Sequence, residues 1–101
     1  MMLNGVTRTY ELDRLGVNAR CRIEEMSGRP FEDVLRELAG RRRPAIGTVR
    51  QFLSALLLEP AHPSPDSIDP ILQDVGGVPA VRKAAQAAWR AHRLSSKRRL
   101  A

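Results

Sequence analysis

The chain has 101 residues and a mass of 11.3 kDa, which allows one domain with one modest core. With 43% hydrophobic but only 4% aromatic residues, that core must be aliphatic, and Phe31, Phe52 and Trp89 are its few large pieces. The formal charge of +6 belongs to one end: residues 1–81 carry ten Arg against eleven Asp or Glu, whereas residues 82–101 carry seven Lys or Arg and no acid, which weakens a nucleic-acid role for the body.

The alternation of Val6, Arg8, Tyr10 and Leu12 against Thr7, Thr9 and Glu11 predicts one short strand. Asn4-Gly5 is a tight-turn signal with only three residues before it, so a hairpin is not firmly specified. A lone strand must find a partner for its backbone, and a second copy of the chain or another protein would supply one. The alternative is an extended arm packed over the helices.

From Leu15 the spacing changes to the helical period. Leu15, Ala19, Ile23 and Met26 share a face, and Gly28 supplies a stop. Asn18 as N-cap would shorten this first helix. Pro30 suits a first helical position, Glu32 and Asp33 occupy the first turn, and Phe31, Val34, Leu35 and Leu38 define a second helix ending near Gly40. Arg41, Arg42, Arg43 and Pro44 make a basic connector. Thr48 and Gln51 match a capping box ahead of Val49, Phe52, Leu53, Leu56 and Leu57, so a third helix with the broadest aliphatic face is expected at the centre of the core.

Three prolines between Glu59 and Pro65 preclude helix there and predict a linker. Ile68, Ile71, Leu72 and Val75 outline a fourth helix capped by Ser64 or Ser67 and terminated by Gly76-Gly77; Pro70 favours the later start. Pro79 opens a last helix expected to run to about His92 before Ser95–Ala101 frays. On its wheel Val78, Val81, Ala85, Ala88, Trp89 and His92 form one stripe, Ala80, Ala84, Ala87 and Ala91 a second, and Arg82, Lys83, Arg90 and Arg93 the remainder. Two stripes suggest two packing partners, unless alanine fills exposed positions merely as the best helix former.

These elements predict a mainly α protein: a small bundle of four or five helices with one short N-terminal β-strand or hairpin. Residues 1–93 are expected to form a single domain and residues 94–101 a basic tail. The expected partner-binding residues are Ala80, Arg82, Lys83, Ala84, Ala87, Trp89, Arg90 and Ala91.

Catalytic chemistry finds no support in the sequence. His62 and His92 have no Cys or acid at metal-ligand spacing, and no cofactor or metal site is expected. Cys21, between Arg20 and Arg22, lacks an evident base and reads as a small packing residue; as the only cysteine it excludes an intrachain disulfide. Glu24 and Glu25 point about 100° apart on a helix, too divergent to share a substrate proton. The glycines sit at helix ends and form no phosphate loop. The apolar run from Phe52 to Leu58 falls far short of the roughly 20 residues that cross a membrane, and Met1–Tyr10 lacks a secretory pattern, so a cytoplasmic protein that binds other macromolecules is expected.

One further pattern narrows that expectation. The stretch from Tyr10 to Gly28, in particular Asn18, Ala19, Arg22, Ile23, Glu24, Glu25 and Gly28, resembles the opening of small tail assembly chaperones, also described as tail tube-associated proteins, of long-tailed bacteriophages and gene transfer agents. Thr48–Leu57 is similar to the third helix of that family, Ser64–Gly77 to its acidic helix and double glycine, and Val81–Trp89 to its closing Ala-rich helix. The resemblance covers residues 6–93 and departs from the family in the short N-terminus and the strongly basic end. It implies a protein of the host cytoplasm that coats the tape measure protein during tail morphogenesis, keeps its apolar helices soluble and recruits tail tube subunits, with virion association open. Many members of the family are also made in an extended, frameshifted form. The alternative is a small basic protein that binds nucleic acid through Arg41–Arg43 and Lys97–Arg99.

Overall fold

A computed structural model describes residues 2–58 and 63–100, with side chains through residue 93. Among the described residues the protein is mainly helical, with five α-helices and a two-stranded antiparallel sheet near its N-terminus. The strands are β1 (Met2–Asn4) and β2 (Thr9–Glu11), and the helices are α1 (Val17–Ser27), α2 (Phe31–Ala39), α3 (Ile46–Leu56), α4 (Asp69–Asp74) and α5 (Val78–Leu100). A single 3₁₀ turn, Pro65–Ser67, precedes α4.

Of the strand or hairpin expected at the N-terminus the hairpin forms, its second strand lying inside Val6–Leu12: Met2 pairs with Glu11, Leu3 with Tyr10 and Asn4 with Thr9. The turn closes through Gly5 N–H donating to Arg8 O at 2.8 Å. Asp74, at the end of α4, then fastens it: its carboxylate accepts from Thr7 N–H at 2.9 Å, the Thr7 hydroxyl at 2.9 Å and the Tyr10 hydroxyl at 2.8 Å. Gly5 is pressed into this junction, where a Cβ would stand 2.3 Å from Asp74 Oδ2 and 2.7 Å from Arg8 O. After β2 the chain turns to the end of α3. Leu12 bridges Leu57, Asp13 N–H donates to Leu56 O at 2.7 Å, and Leu58 N–H donates to Glu11 O at 2.9 Å.

Helix α3 is the centre of the core, as its aliphatic face implies. Thr48, Val49, Phe52, Leu53, Ser54, Ala55 and Leu56 are all buried, so water is excluded from most of its circumference. Around it pack Ala19 and Ile23 of α1, Val34, Leu35 and Leu38 of α2, and Val81, Ala84, Ala85 and Ala88 of α5. Each fully buried Leu, Ile or Phe contributes about 1.5–3 kcal/mol relative to exposure. Ser54, which with Thr48 is one of two polar residues buried in α3, donates its hydroxyl to Pro63 O and so ties down the far end of the linker. Residues 59–62 of the expected linker, with His62, lie outside the described residues.

The boundaries of the helices depart from the local cap signals. Helix α1 starts after Gly16, beyond Leu15 and before Asn18 as cap, and α2 has Pro30 as its N-cap and not as its first residue. The capping box at Thr48 and Gln51 does not form, because α3 begins at Ile46 with Ala45 as N-cap, a residue with no side-chain acceptor. Glu37 of α2 reaches across instead and accepts the Ala45 N–H at 2.9 Å. Thr48 receives a contact from Arg29 Nη2 at 3.4 Å, and Gln51 donates to Met26 O at 3.3 Å. Neither Ser64 nor Ser67 caps α4, whose N-cap is Ile68 with Pro70 in the first turn. Gly76 and Gly77 do terminate it, at φ of 106° and 78°, left-handed geometry that lets the chain reverse into α5. That helix does not end near His92: its backbone continues through Leu100, because no Gly or Pro follows Pro79 to break it.

Two measurements test these anchors. Glu37→Ala removes a borrowed cap and is expected to cost about 1–2 kcal/mol, lowering the thermal midpoint by several degrees. Burial pushes the Tyr10 phenol up, assisted by its hydrogen bond to Asp74, so ultraviolet titration of this only tyrosine should show ionisation above about 10. Burial also raises the Asp74 carboxyl, but the Thr7 and Tyr10 donors outweigh it and hold that group below the ordinary carboxylate value. The Asp74 contribution is therefore complete above about pH 4 and lost as pH falls through the lowered value, whereas the Tyr10 contribution is lost as pH rises through the raised one. Asp74→Ala should return the phenol toward its ordinary value.

Candidate functional site

The largest question left by the fold is what the outer side of α5 does. Its inner side packs on α2 and α3 through Val81, Ala84, Ala85 and Ala88, with Val78, Ala80 and Trp89 half-buried against the same core. One turn further round, Ala87 and Ala91 are exposed. They face the segment between β2 and the first turn of α1, and a cleft of about 390 Å³ opens between the two, lined by Arg14, Leu15, Arg20, Ala87, Ala88, Ala91 and His92. That volume is in the lower part of the range of roughly 300–1,000 Å³ typical of binding clefts.

A stack of three side chains sets the wall of the cleft. The Arg20 guanidinium lies 5.0 Å from the centre of the Phe31 ring, and His92 meets the same ring edge-on at 5.1 Å and 85°. Phe31 is placed by Glu24 of α1, whose carboxylate accepts the Phe31 N–H at 3.0 Å and so supplies the start of α2 with a partner. Arg20 Nε donates to Leu15 O at 3.2 Å, which holds the pre-helical segment against α1. His92 Nε2 lies 3.5 Å from Glu32 Oε1. The cleft is thus lined by three alanines and Leu15, with Arg14, Arg20 and His92 as its polar members. Among the described residues no group of His, Cys, Asp and Glu could hold a metal ion, and no helix is long and apolar enough to cross a membrane.

The structure divides the expected partner-binding residues. Ala87 and Ala91 line the cleft. Lys83 and Arg90 are exposed on α5. Ala84, assigned from the wheel to the second stripe, is 8% exposed and belongs to the chain's own core, because α2 runs alongside α5 from Leu38 beside Arg82 to Glu32 beside His92. Ala80 is half-buried beside it. Arg82 is spent internally, donating through Nε to Leu38 O at 3.1 Å and through Nη2 to Gly40 O, so that it closes the C-terminal end of α2. Trp89 lies under the Arg36 guanidinium at 5.8 Å and beside His92 at 6.1 Å.

Sequence reasoning missed Arg14, Leu15 and Arg20 as cleft residues. Leu15 was expected in the apolar face of α1; it precedes the N-cap Gly16, half-buried against the core, and lines the cleft opposite α5. Cys21, expected to pack inside, is exposed. Compared with protein-family models, curated proteins and solved structures, the chain matches none.

The division of the alanines is open to direct measurement. Ala84→Glu places an unpaired charge in the core and should unfold the protein or cost more than about 3 kcal/mol. Ala87→Glu and Ala91→Glu should each stay within about 0.5 kcal/mol of the parent in thermal or urea unfolding, as exposed positions do.

Proposed function

We propose that the chain is a binding protein of the tail assembly chaperone kind, which holds the apolar helices of a tape measure protein in soluble form and brings tail tube subunits to it in the host cytoplasm. The observation that carries this reading is the open cleft beside α5, where apolar surface remains available after the core has been satisfied. The segments that carry the family resemblance also coincide with whole structural units: Asn18–Gly28 with α1 and its stop, Thr48–Leu57 with α3, Ser64–Gly77 with the 3₁₀ turn, α4 and the double glycine, and Val81–Trp89 with the packed part of α5. A strand free for self-association supports the reading less, since β1 and residues 56–58 already take up β2 and its continuation.

A second reading, nucleic-acid binding, is favoured by Arg41, Arg42 and Arg43, which are exposed and form no ion pair among the described residues. Its hallmark would be retention of DNA or RNA that falls steeply with salt.

Co-expression with a long, aggregation-prone helical protein of the tape measure type separates the two. The chaperone reading expects that protein to move from the pellet to the soluble fraction and to co-purify with the chain at 0.5 M salt, about the point where a Debye length of a few ångströms leaves apolar contacts to hold the complex. An insoluble partner, together with a salt-sensitive gel shift on nucleic acid, would replace it with the second reading.

A further inference from the structure

We propose that the cleft between the β2–α1 segment and α5 receives one amphipathic α-helix whose narrow apolar edge is flanked by carboxylates, the edge lying on Ala87, Ala88, Ala91 and Leu15 and the carboxylates meeting Arg14 and Arg20. The inference rests on the binding role proposed above and specifies the chemistry of the segment bound.

The floor argues for a helix. Ala87, Ala88 and Ala91 are successive short side chains on one side of α5, so a second helix can approach to the 8–10 Å interaxial distance of ordinary helix packing, or slightly less. The floor is itself a helix surface and offers no row of free backbone groups. An extended peptide laid there would leave its own N–H and C=O groups without partners, whereas a helix satisfies them internally.

The mouth argues for acid. Arg14 is exposed, and neither Arg14 nor Arg20 forms an ion pair among the described residues. The carboxylates beside the cleft are engaged elsewhere, Glu32 with His92 and Glu24 with the Phe31 N–H. Along the same helix Arg90 and Arg93 are exposed with no ion pair among the described residues, which adds positive charge to this side of the protein. Arg14, together with the Arg20 nitrogens left over once its Nε donates to Leu15 O, suits the planar, two-oxygen acceptor of Asp or Glu, and the same cations repel a Lys-rich helix.

The test uses the full chain and a fluorescent helical peptide of roughly five turns, with Leu and Ala on one edge and Glu on both flanks, beside a twin in which Lys replaces every Glu. Anisotropy titration should show the Glu peptide binding at least about tenfold more tightly than the Lys twin. Ala91→Glu should weaken the Glu peptide about tenfold or more, and Arg14→Glu should weaken it several-fold while improving the Lys twin, with circular dichroism unchanged in both variants. Equal binding of the two peptides, no binding of either, or binding indifferent to Ala91→Glu overturns the assignment. So does a monomer–dimer equilibrium abolished by the same substitution, which would give the cleft to a second copy. If Ala91→Glu still solubilises the long helical protein, the cleft assignment falls and the chaperone reading stands; if the peptide binds as expected but the parent chain solubilises nothing, the reverse holds.

Discussion

The constraint on which this structure depends is the burial of α3. A helix that opens on the exposed Ala45–Gly47 but is largely enclosed from Thr48 to its end cannot leave its last carbonyls to water, and each such group left bare costs about 1–3 kcal/mol. Neither end is capped from its own sequence. At the N-terminal end Glu37 accepts the Ala45 N–H, held in place by Arg29 Nη2 at 2.9 Å. At the C-terminal end Arg22 Nε donates to Ala55 O at 2.8 Å while its Nη2 meets Asp13 at 2.9 Å, and the Asp13 backbone N–H takes the Leu56 carbonyl. The consequence appears in the Glu37 carboxyl, which burial raises but the Ala45 N–H, the Thr48 hydroxyl and Arg29 together hold below its ordinary range.

The same economy orders the rest of the bundle. Glu24 serves the first N–H of α2, Arg82 serves its last carbonyls from α5, and Arg50 forks onto Asp69 at 2.8 and 2.7 Å to seat α4 against α3. Several charged residues that look like surface decoration in the sequence are therefore structural. What remains unspent, chiefly Arg14, Arg41–Arg43, Lys83, Arg90 and Arg93, marks where the protein has charge to offer a partner. The cleft beside α5 joins two of these surplus features, a free cation and an uncovered alanine face.

Element type was legible in the sequence because periodicity reports burial directly. Val34, Leu35 and Leu38 repeat at the helical period and are buried, and the broad face from Val49 to Leu57 is the core. Cap positions were not legible, because the acceptor for Ala45 is eight residues away in sequence and that for Phe31 seven, distances that no local signature encodes. The hairpin was half legible: Asn4-Gly5 announced the turn, but the anchor that makes three-residue strands persist is Asp74, more than sixty residues away. For the candidate site the helical wheel put Ala80, Ala84, Ala87 and Ala91 in one stripe, of which Ala87 and Ala91 are exposed and Ala84 is buried; only the packing of the bundle decides which alanines are covered. The opposite side, Arg14, Leu15 and Arg20, has no spacing that points to a site and emerges only when α1 is laid beside α5.

Borrowed caps also change what it means for part of this molecule to open. In a bundle whose helices end themselves, one helix can fray and leave its neighbours intact. Here, withdrawing α2 uncaps the start of α3 through Glu37, and withdrawing α1 uncaps both the start of α2 through Glu24 and the end of α3 through Arg22. The first three helices are coupled end to end, so subglobal opening of any one carries much of the cost of opening all three. Amide exchange in them should converge on a single protection level, with the part of α5 beyond the bundle exchanging on its own.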